Sequence, residues 1–444
     1  MIIDTCPYFQ EASLLDLRLT ELDPVVDLFV VVEGTTTHKG DPKPSYLPPE
    51  LLRRWAHKLV VHTATLPEGD GPVWWWRREM TQRNAIKDAL ARLRLKPDDM
   101  ILISDCDEIP RRAFVQHLPV LPPDAIAIAH QRLSYYTFNH VAPDVLWTGT
   151  RATQYANVEV LGADGVRYVA QERGGFPRRY LIRDAGWHFS YFGGAQRVAT
   201  KIDSFLHQEL NNPEVRDPAV IAQRIAAGDD VYGRPEQRFD IGWATDLPQA
   251  VTERPCAWLE HFHPDYAPCF TERWTTDPHA LFLAKLAATA PEGRAVEIGS
   301  WEGLSTVAIA GALGGRMVEA VDTWAGNGDE HPAHPTVAQA STRDVYGAFL
   351  RNLRAYGLEN VLPRRMDWRA WAAEDGGPLA FVYLDAAHDE ATVAAQLDAL
   401  IPRMAPGGIL CGDDAYAPGV QWALAPRLPD VASDGRMWWW TKEP

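Results

Sequence analysis

Residues 100–110 read Met-Ile-Leu-Ile-Ser-Asp-Cys-Asp-Glu-Ile-Pro, an apolar run that ends in two aspartates one residue apart, Asp105 and Asp107. Carboxylates at a strand tip are hard oxygen donors suited to Mg²⁺ or Mn²⁺. Such an ion can offset the charge that develops on a leaving nucleotide diphosphate. The alternative is a turn in which both acids only bond local amides. His188, in the short aromatic strand Gly-Trp-His-Phe-Ser-Tyr-Phe, is a candidate third ligand, with a core histidine as the competing reading. Arg77 and Arg83, near the start of a helical pattern, are candidates for contact with a diphosphate or base. A plain surface role is the alternative, above all for Arg77. Glu33 closes a β-branched run at 28–33, where α/β sheets receive nucleotides. Transfer to an acceptor hydroxyl needs a general base; Glu108, Asp184 and Glu209 remain open candidates.

A second group lies near the other end of the chain. Residues 294–303, Arg-Ala-Val-Glu-Ile-Gly-Ser-Trp-Glu-Gly, read as a strand, a glycine-bearing turn and the start of a helix. Glycine lets backbone approach a ligand closely, which makes Glu297, Gly299, Ser300, Glu302 and Gly303 candidates for holding a cofactor. The next strand ends in Val-Asp-Thr-Trp, where Asp322 is spaced to accept from ribose hydroxyls, with Thr323 and Trp324 beside it. Asp367 and Trp368 follow a further strand. Tyr383-Leu-Asp-Ala-Ala-His sets Asp385 and His388 just past another strand, and Ile-Leu-Cys-Gly-Asp-Asp sets Asp413 and Asp414 past the next. Adjacent parallel strands would gather these three acids at one sheet edge. That suggests a Mg²⁺ site that orients an acceptor hydroxyl and lowers its pKa, with His388 as general base. A solvated turn is the alternative for the acidic pair. Nicotinamide dinucleotide binding is a rival for the glycine turn, disfavoured because the full G-x-G-x-x-G pattern is missing.

Elements of both kinds must carry these residues. Helical spacing of leucines at 11–22 and of apolar positions at 77–93 alternates with buried strands at 28–33 and 100–104, the pattern of an α/β sandwich. Prolines 255, 264 and 268 mark a boundary. We read a first domain over 1–268, with a helical and irregular tail from 210, and a second over 272–444, where strands are expected at 294–298, 317–321, 379–384 and 408–411 and a helix at 303–313. The halves show no internal repeat.

The bulk properties restrict the function classes. With 444 residues, two or three domains are expected, and 46% hydrophobic with 23% charged residues describes a globular chain. A net charge of −16 argues against non-specific nucleic-acid binding. The five cysteines are scattered without a C-x-x-C pair, so neither a disulfide framework nor a zinc site is indicated. No apolar stretch reaches membrane-spanning length, and the first residues lack a signal-peptide pattern. A reducing cytoplasm is the expectation. The tryptophan runs at 74–76 and 438–440 read as packing. Homo-oligomerisation is left open.

Several motifs carry a resemblance. Leu-Leu-Asp-Leu-Arg-Leu-Thr-Glu-Leu (14–22), the segment 26–40, Arg-Glu-Met-Thr-Gln-Arg-Asn-Ala-Ile (78–86), the segment 98–111, Gly-Trp-His-Phe-Ser-Tyr-Phe-Gly-Gly (186–194) and Lys-Ile-Asp-Ser-Phe-Leu-His-Gln-Glu (201–209) resemble glycosyltransferase family 17 in order and spacing. The resemblance implies a GT-A-like fold and an inverting transfer from a nucleotide sugar, usually UDP-linked, to a glycan acceptor. Asp105 would then serve the donor as well as the metal. From about residue 275 the chain resembles class I S-adenosylmethionine methyltransferases of Rossmann-like fold. Among them it resembles the metal-dependent O-methyltransferases acting on macrolide-attached sugars, in which an aspartate, a histidine three residues on and a later acidic pair have the roles given above. Together these imply a bifunctional enzyme that transfers N-acetylglucosamine or a related hexose and O-methylates a sugar hydroxyl. The alternatives are transfer to a modified nucleobase or protein with unrelated methylation, and a nucleotide-binding module without turnover.

Overall fold

In a computed structural model, which describes residues 1–169, 178–205, 207–326, 334–374 and 376–443, the chain forms two compact units, Met1–Gly242 and Trp243–Pro444. Leu206 of the 201–209 motif lies outside the described residues. The first unit contains β1 (Ile2–Tyr8), β2 (Leu28–Gly34), β3 (Leu59–Ala64), β4 (Met100–Ile103), β5 (Glu108–Pro110), β6 (Ala125–Tyr135), β7 (His140–Gln154), β8 (Arg178–Ser190) and β9 (Asp240–Ile241). They make one sheet in the order β3-β2-β1-β4-β7-β6-β8-β5, with β9 added to β7. The first four strands are parallel. Side-chain alternation in β4 explains why this sheet is covered on both faces. Met100 and Leu102 pack with Leu15, Leu19 and Leu22 of helix Ala12–Leu22, while Ile101 and Ile103 pack with Ile86, Ala89 and Leu90 of helix Pro72–Leu90.

The sequence reading did not identify β1, yet it is a central strand flanked by β2 and β4. Its polar residues disguise it. Asp4 and Thr5 are buried, and Asp4 is matched by Arg18 through bonds of 2.5 and 2.7 Å. The helix expected at 77–93 begins earlier, at Pro72, where proline suits a helix start.

The second unit contains β10 (Arg294–Ile298), β11 (Val318–Asp322), β12 (Val361–Arg365), β13 (Leu379–Leu384), β14 (Met404–Gly412), β15 (Ala432–Ser433) and β16 (Trp438–Thr441). Their order is β12-β11-β10-β13-β14-β16-β15, parallel through β14 and antiparallel at β16. This is a doubly wound Rossmann-like sheet whose order reverses beside β10, the place where such folds bind ligands. Trp438 is buried in the core and Trp439 packs on Phe282, while Trp76 stands exposed against His207. Residues 243–268, placed with the first domain by sequence, pack inside the second unit. Tyr356 Oη donates to the Pro255 carbonyl at 2.6 Å, and Arg351 bonds the carbonyls of Asp265 and Ala267. The prolines there mark irregular backbone, not a break in packing.

Arg18 is the most connected buried cation of the first unit's tip region, and its removal tests that frame. Arg18→Met should cost about 3–5 kcal/mol in the urea unfolding of the first unit, because it strands the Asp4 carboxylate in the core. Adding Asp4→Leu should recover part of that loss.

Candidate active sites

At the first site the tip between β4 and β5 is held from below. The Arg18 guanidinium, fully buried, bonds Ser104 Oγ at 2.9 Å and the carbonyls of Asp105 and Glu108 at 3.1 and 2.6 Å. Strand β5 pairs antiparallel with β8, Glu108 opposite His188, and Phe189 N–H donates to the Asp107 carbonyl at 2.9 Å. This register brings His188 Nε2 to 3.5 Å from Asp107 Oδ1. On the other side Lys201, from helix Gly194–Ser204, stands 2.9 Å from Asp107 Oδ2 and 3.3 Å from Glu11. Asp105 meets Arg83 at 3.3 Å and Arg167 at 3.1 Å. Burial opposes charge on both aspartates, but these cations outweigh it: Arg167 and Arg83 hold Asp105, and Lys201 and His188 hold Asp107, below the usual carboxylate range. The tip forms one wall of a cavity of about 890 Å³, also lined by Arg83, Trp147, His188 and Lys201.

Three sequence expectations change here. Glu33 is buried beneath the cavity and anchors the following loop through Lys43, Ser45 and the Tyr46 N–H; Lys43, not Glu33, reaches the lining. Arg77 points outward and lies against Trp74, because residues six apart on a helix of about 3.6 residues per turn face different sides, whereas Arg83 does line the cavity. None of the base candidates is free at the wall. Glu108 is fully buried in a fork with Arg167, both bonds 2.6 Å, and accepts from Trp147 Nε1. Asp184 is exposed, pairs with Arg111 and lines a separate groove. Glu209 is exposed and bonded to His207. Arg167 and Lys201 went unassigned: Arg167 belongs to no motif, and Lys201 opens one that named no role.

The donor chemistry fits a divalent cation held with help. Among the described residues the carboxylates of Glu11, Glu79, Asp105, Asp107, Glu108 and Asp164 pair with Arg83, Arg167 and Lys201, and His188 also stands beside Asp107. His188 Nδ1 is buried without a hydrogen-bond partner.

At the second site a cavity of about 970 Å³ opens at the end of β10, β11, β13 and β14. Gly299 has φ +95°, and a Cβ there would lie 2.4 Å from the Asp385 carbonyl, so only glycine permits the two strand ends to approach. Gly299, Ser300, Glu302, Asp322, Thr323, Asp367 and Trp368 all line the cavity. Asp322 accepts from the backbone N–H groups of Trp301 and Trp324 at 2.8 and 2.6 Å, which fixes its carboxylate between two turns. Glu302 also braces the loop, accepting from Thr271 and Glu272 N–H and pairing with Arg343. Three cofactor candidates lie behind the wall instead. Glu297 is fully buried and bonds the hydroxyls of Ser305 and Thr306 at the start of helix Leu304–Ala312. Gly303 begins that helix under Phe349, and Trp324 packs on Tyr346 and Phe349.

Asp385, His388 and Asp414 each offer a ligand atom within 4.8 Å of the others, which suits a metal ion. His388 Nε2 lies 2.5 Å from Asp414 Oδ2. Burial and the neighbouring Asp413 and Asp414 charges push the Asp385 carboxyl well above its usual range, whereas His388 helps hold Asp414 below it. Asp413 is placed differently from expectation. It turns to Arg436, with bonds of 2.9 to 3.3 Å. Successive residues leave a strand on opposite sides, and Asp414 adopts a φ of +53°.

Among the described residues no helix is long and apolar enough to cross a membrane. Residues 1–239 match the family model for glycosyltransferase family 17, and residues 296–415 match that of a methyltransferase domain. The β-1,4-mannosyl-glycoprotein 4-β-N-acetylglucosaminyltransferases of Homo sapiens and Rattus norvegicus are each 30% identical to the chain over 215 residues, covering 43% of this chain and 40% of the relative. The match thus spans well under half the length of these curated relatives. Among solved structures, the O-methyltransferase NovP is similar at 17% identity with a TM-score of 0.32, covering 46% of this chain and 91% of that one. The Bacillus cereus O-methyltransferase in complex with SAH is similar at 19% identity and a TM-score of 0.27, covering 38% and 82%.

Glu297 makes stability pH-dependent. Burial, only partly offset by its hydroxyl bonds, pushes its carboxyl up from 4.5 to about 7. The folded state therefore keeps a proton that the unfolded chain has already released, and stability falls as pH rises from about 4.5 to about 7. The loss amounts to roughly 3 kcal/mol. Thermal unfolding at about pH 5 and about pH 8 should show this decline in the wild type and a smaller one in Glu297→Gln, the remainder coming from the raised carboxyls of Asp385 and Asp322.

Proposed function

The chain belongs to glycosyltransferase family 17, and from that premise we propose a bifunctional enzyme. Its first unit transfers N-acetylglucosamine or a related hexose from a UDP-linked donor to a glycan, with inversion. Its second unit O-methylates a sugar hydroxyl with S-adenosylmethionine. The observation that carries this reading is that each matched span contains a deep cavity with acidic residues from strand ends in its wall. The named activity of the curated relatives supports the choice of sugar.

At the first site Asp105 and Asp107 would hold Mn²⁺ or Mg²⁺, which when bound supplies positive charge to the departing diphosphate. Arg83 and Arg167 fix Asp105, and His188 fixes Asp107. Trp147 offers a ring face at the cavity wall for a sugar or base.

At the second site Gly299, Ser300 and Asp322 would hold S-adenosylmethionine, the source of the methyl group, with Trp368 at the cavity wall. Asp385 and Asp414 would hold a divalent cation, which when bound lowers the pKa of the acceptor hydroxyl. His388 takes the hydroxyl proton, and its Asp414 partner favours the resulting imidazolium. Arg436 neutralises Asp413 and keeps that acid out of the cluster.

Both activities on one chain raise the effective concentration of the glycosylated product for methylation. Incubation with UDP-N-acetylglucosamine, a glycan and S-adenosylmethionine, read by mass, should yield a product heavier by one sugar and one methyl group. Asp107→Asn should lower sugar transfer by roughly 10²-fold or more while methylation of preformed product persists, and Asp385→Asn should do the reverse. Methylation of a compound unrelated to the glycosyl product would refute sequential action.

A further inference from the structure

The two acidic clusters differ in what they can hold alone. Asp385, His388 and Asp414 each bring a possible ligand atom within 4.8 Å of the others, whereas Asp105, Asp107 and His188 do not form such a group among the described residues. The second oxygen of Asp107 is taken by Lys201, whose ammonium also reaches Glu11 and lies over the Tyr191 ring, 5.4 Å from its centre. Its side chain is only 21% exposed, yet it lines the cavity.

We propose that Lys201 is the placeholder cation of the first site: it occupies the charge position of a divalent ion at Asp107 and is displaced when that ion arrives together with a nucleoside diphosphate. The inference rests on the nucleotide-sugar reading of this cavity. Its basis is charge. A metal ion entering alone would have to dislodge Lys201 from Asp107 and would face Arg83 and Arg167 across Asp105. A diphosphate entering alone would meet a network with more carboxylates than cations. Entering together, the two largely cancel each other's charge, and the diphosphate oxygens complete a coordination shell to which the protein contributes one or two carboxylates, the usual arrangement for Mg²⁺ with phosphates. Lys201 sits 2.9 Å from Asp107 Oδ2, so an ion that uses that oxygen has to move the side chain aside. Once freed from Asp107, the ammonium remains near enough to Glu11 to stay paired.

By reciprocity, the ion must raise nucleotide affinity by the same factor as the nucleotide raises ion affinity. The test counts bound Mn²⁺ by electron paramagnetic resonance in the full chain, with and without UDP, and takes the signal lost in Asp107→Asn as the first-site ion. Calorimetry follows UDP with and without Mn²⁺. In the wild type, UDP should tighten first-site Mn²⁺ by roughly tenfold or more, with the same factor for UDP. In Lys201→Met the ion alone should bind roughly tenfold or more tightly than it does in the wild type, and the coupling should fall toward the part that direct coordination of the ion by diphosphate supplies. A thermal unfolding profile like that of the wild type confirms that the variant is folded. Equal Mn²⁺ affinity with and without UDP in the wild type overturns the proposal. So does loss of UDP binding in Lys201→Met when Mn²⁺ is present, since Lys201 would then be a phosphate ligand. Failure of the wild type to bind UDP, with or without Mn²⁺, removes the nucleotide-sugar reading itself and the proposal with it.

Discussion

The first unit depends on one buried guanidinium. Arg18 sits in a leucine-rich helix at no exposure and ties together β1, through Asp4, and the tip between β4 and β5, through Ser104 and two carbonyls. A buried ion pair of this kind adds little net stability over an apolar core, because desolvating both charges nearly cancels their attraction. What it supplies is position. A tip that turns sharply leaves carbonyls without strand partners, and buried carbonyls need donors. Arginine presents five in a fixed fork. With those carbonyls held from beneath, the side chains of Asp105 and Asp107 are free to project into the cavity.

The second unit solves the same problem with backbone. Among the described residues no arginine props up its acid cluster from beneath; instead Gly299 lets β10 and β13 end close together, and Trp301 and Asp414 at the cavity wall and Trp324 behind it adopt left-handed backbone. Non-glycine residues in that region cost of order 1–3 kcal/mol each, so the surrounding packing must hold them. Trp324 shows how: its indole N–H donates to the Trp301 carbonyl at 2.7 Å while its ring is wedged by Phe349. The cost is also electrostatic. Asp385 is crowded by Asp413 and Asp414, and Arg436 removes only one of those charges. In the first cluster cations of the protein hold the acids ionised, and in the second the neighbouring acids push Asp385 toward its protonated form.

What could be read from sequence follows from this contrast. Strand tips are written in local pattern, so the placement of Asp105, Asp107, Asp385 and His388 just past strand ends was legible, and so was the α/β class of both halves. Partners are not local. Asp413 and Asp414 are indistinguishable as text; Arg436, from the far side of the antiparallel β16 hairpin, decides which of them stays in the cluster. Glu33 looked like a nucleotide ligand because it ends a strand, but a loop it anchors folds over it. Arg77 and Arg83 differ only in helical phase, which a pattern of sparse apolar positions fixes poorly. Strand β1 was missed because its charge is balanced by a residue on another element.

These partners also bear on why such acids are tolerated at all in a chain of net charge −16. Nucleotide sugars are anionic, so an acidic protein gains nothing from long-range attraction to them. Selectivity must then come from short range, where the dielectric is low and each fixed charge counts for more. An excess of carboxylates disfavours a bare diphosphate, while the cations already seated on Asp105 and Asp107 compete with a bare metal ion for the same oxygens. On the proposed reading, a site built from both signs would discriminate against either component alone and favour the pair, without requiring a basic surface that would also bind nucleic acid.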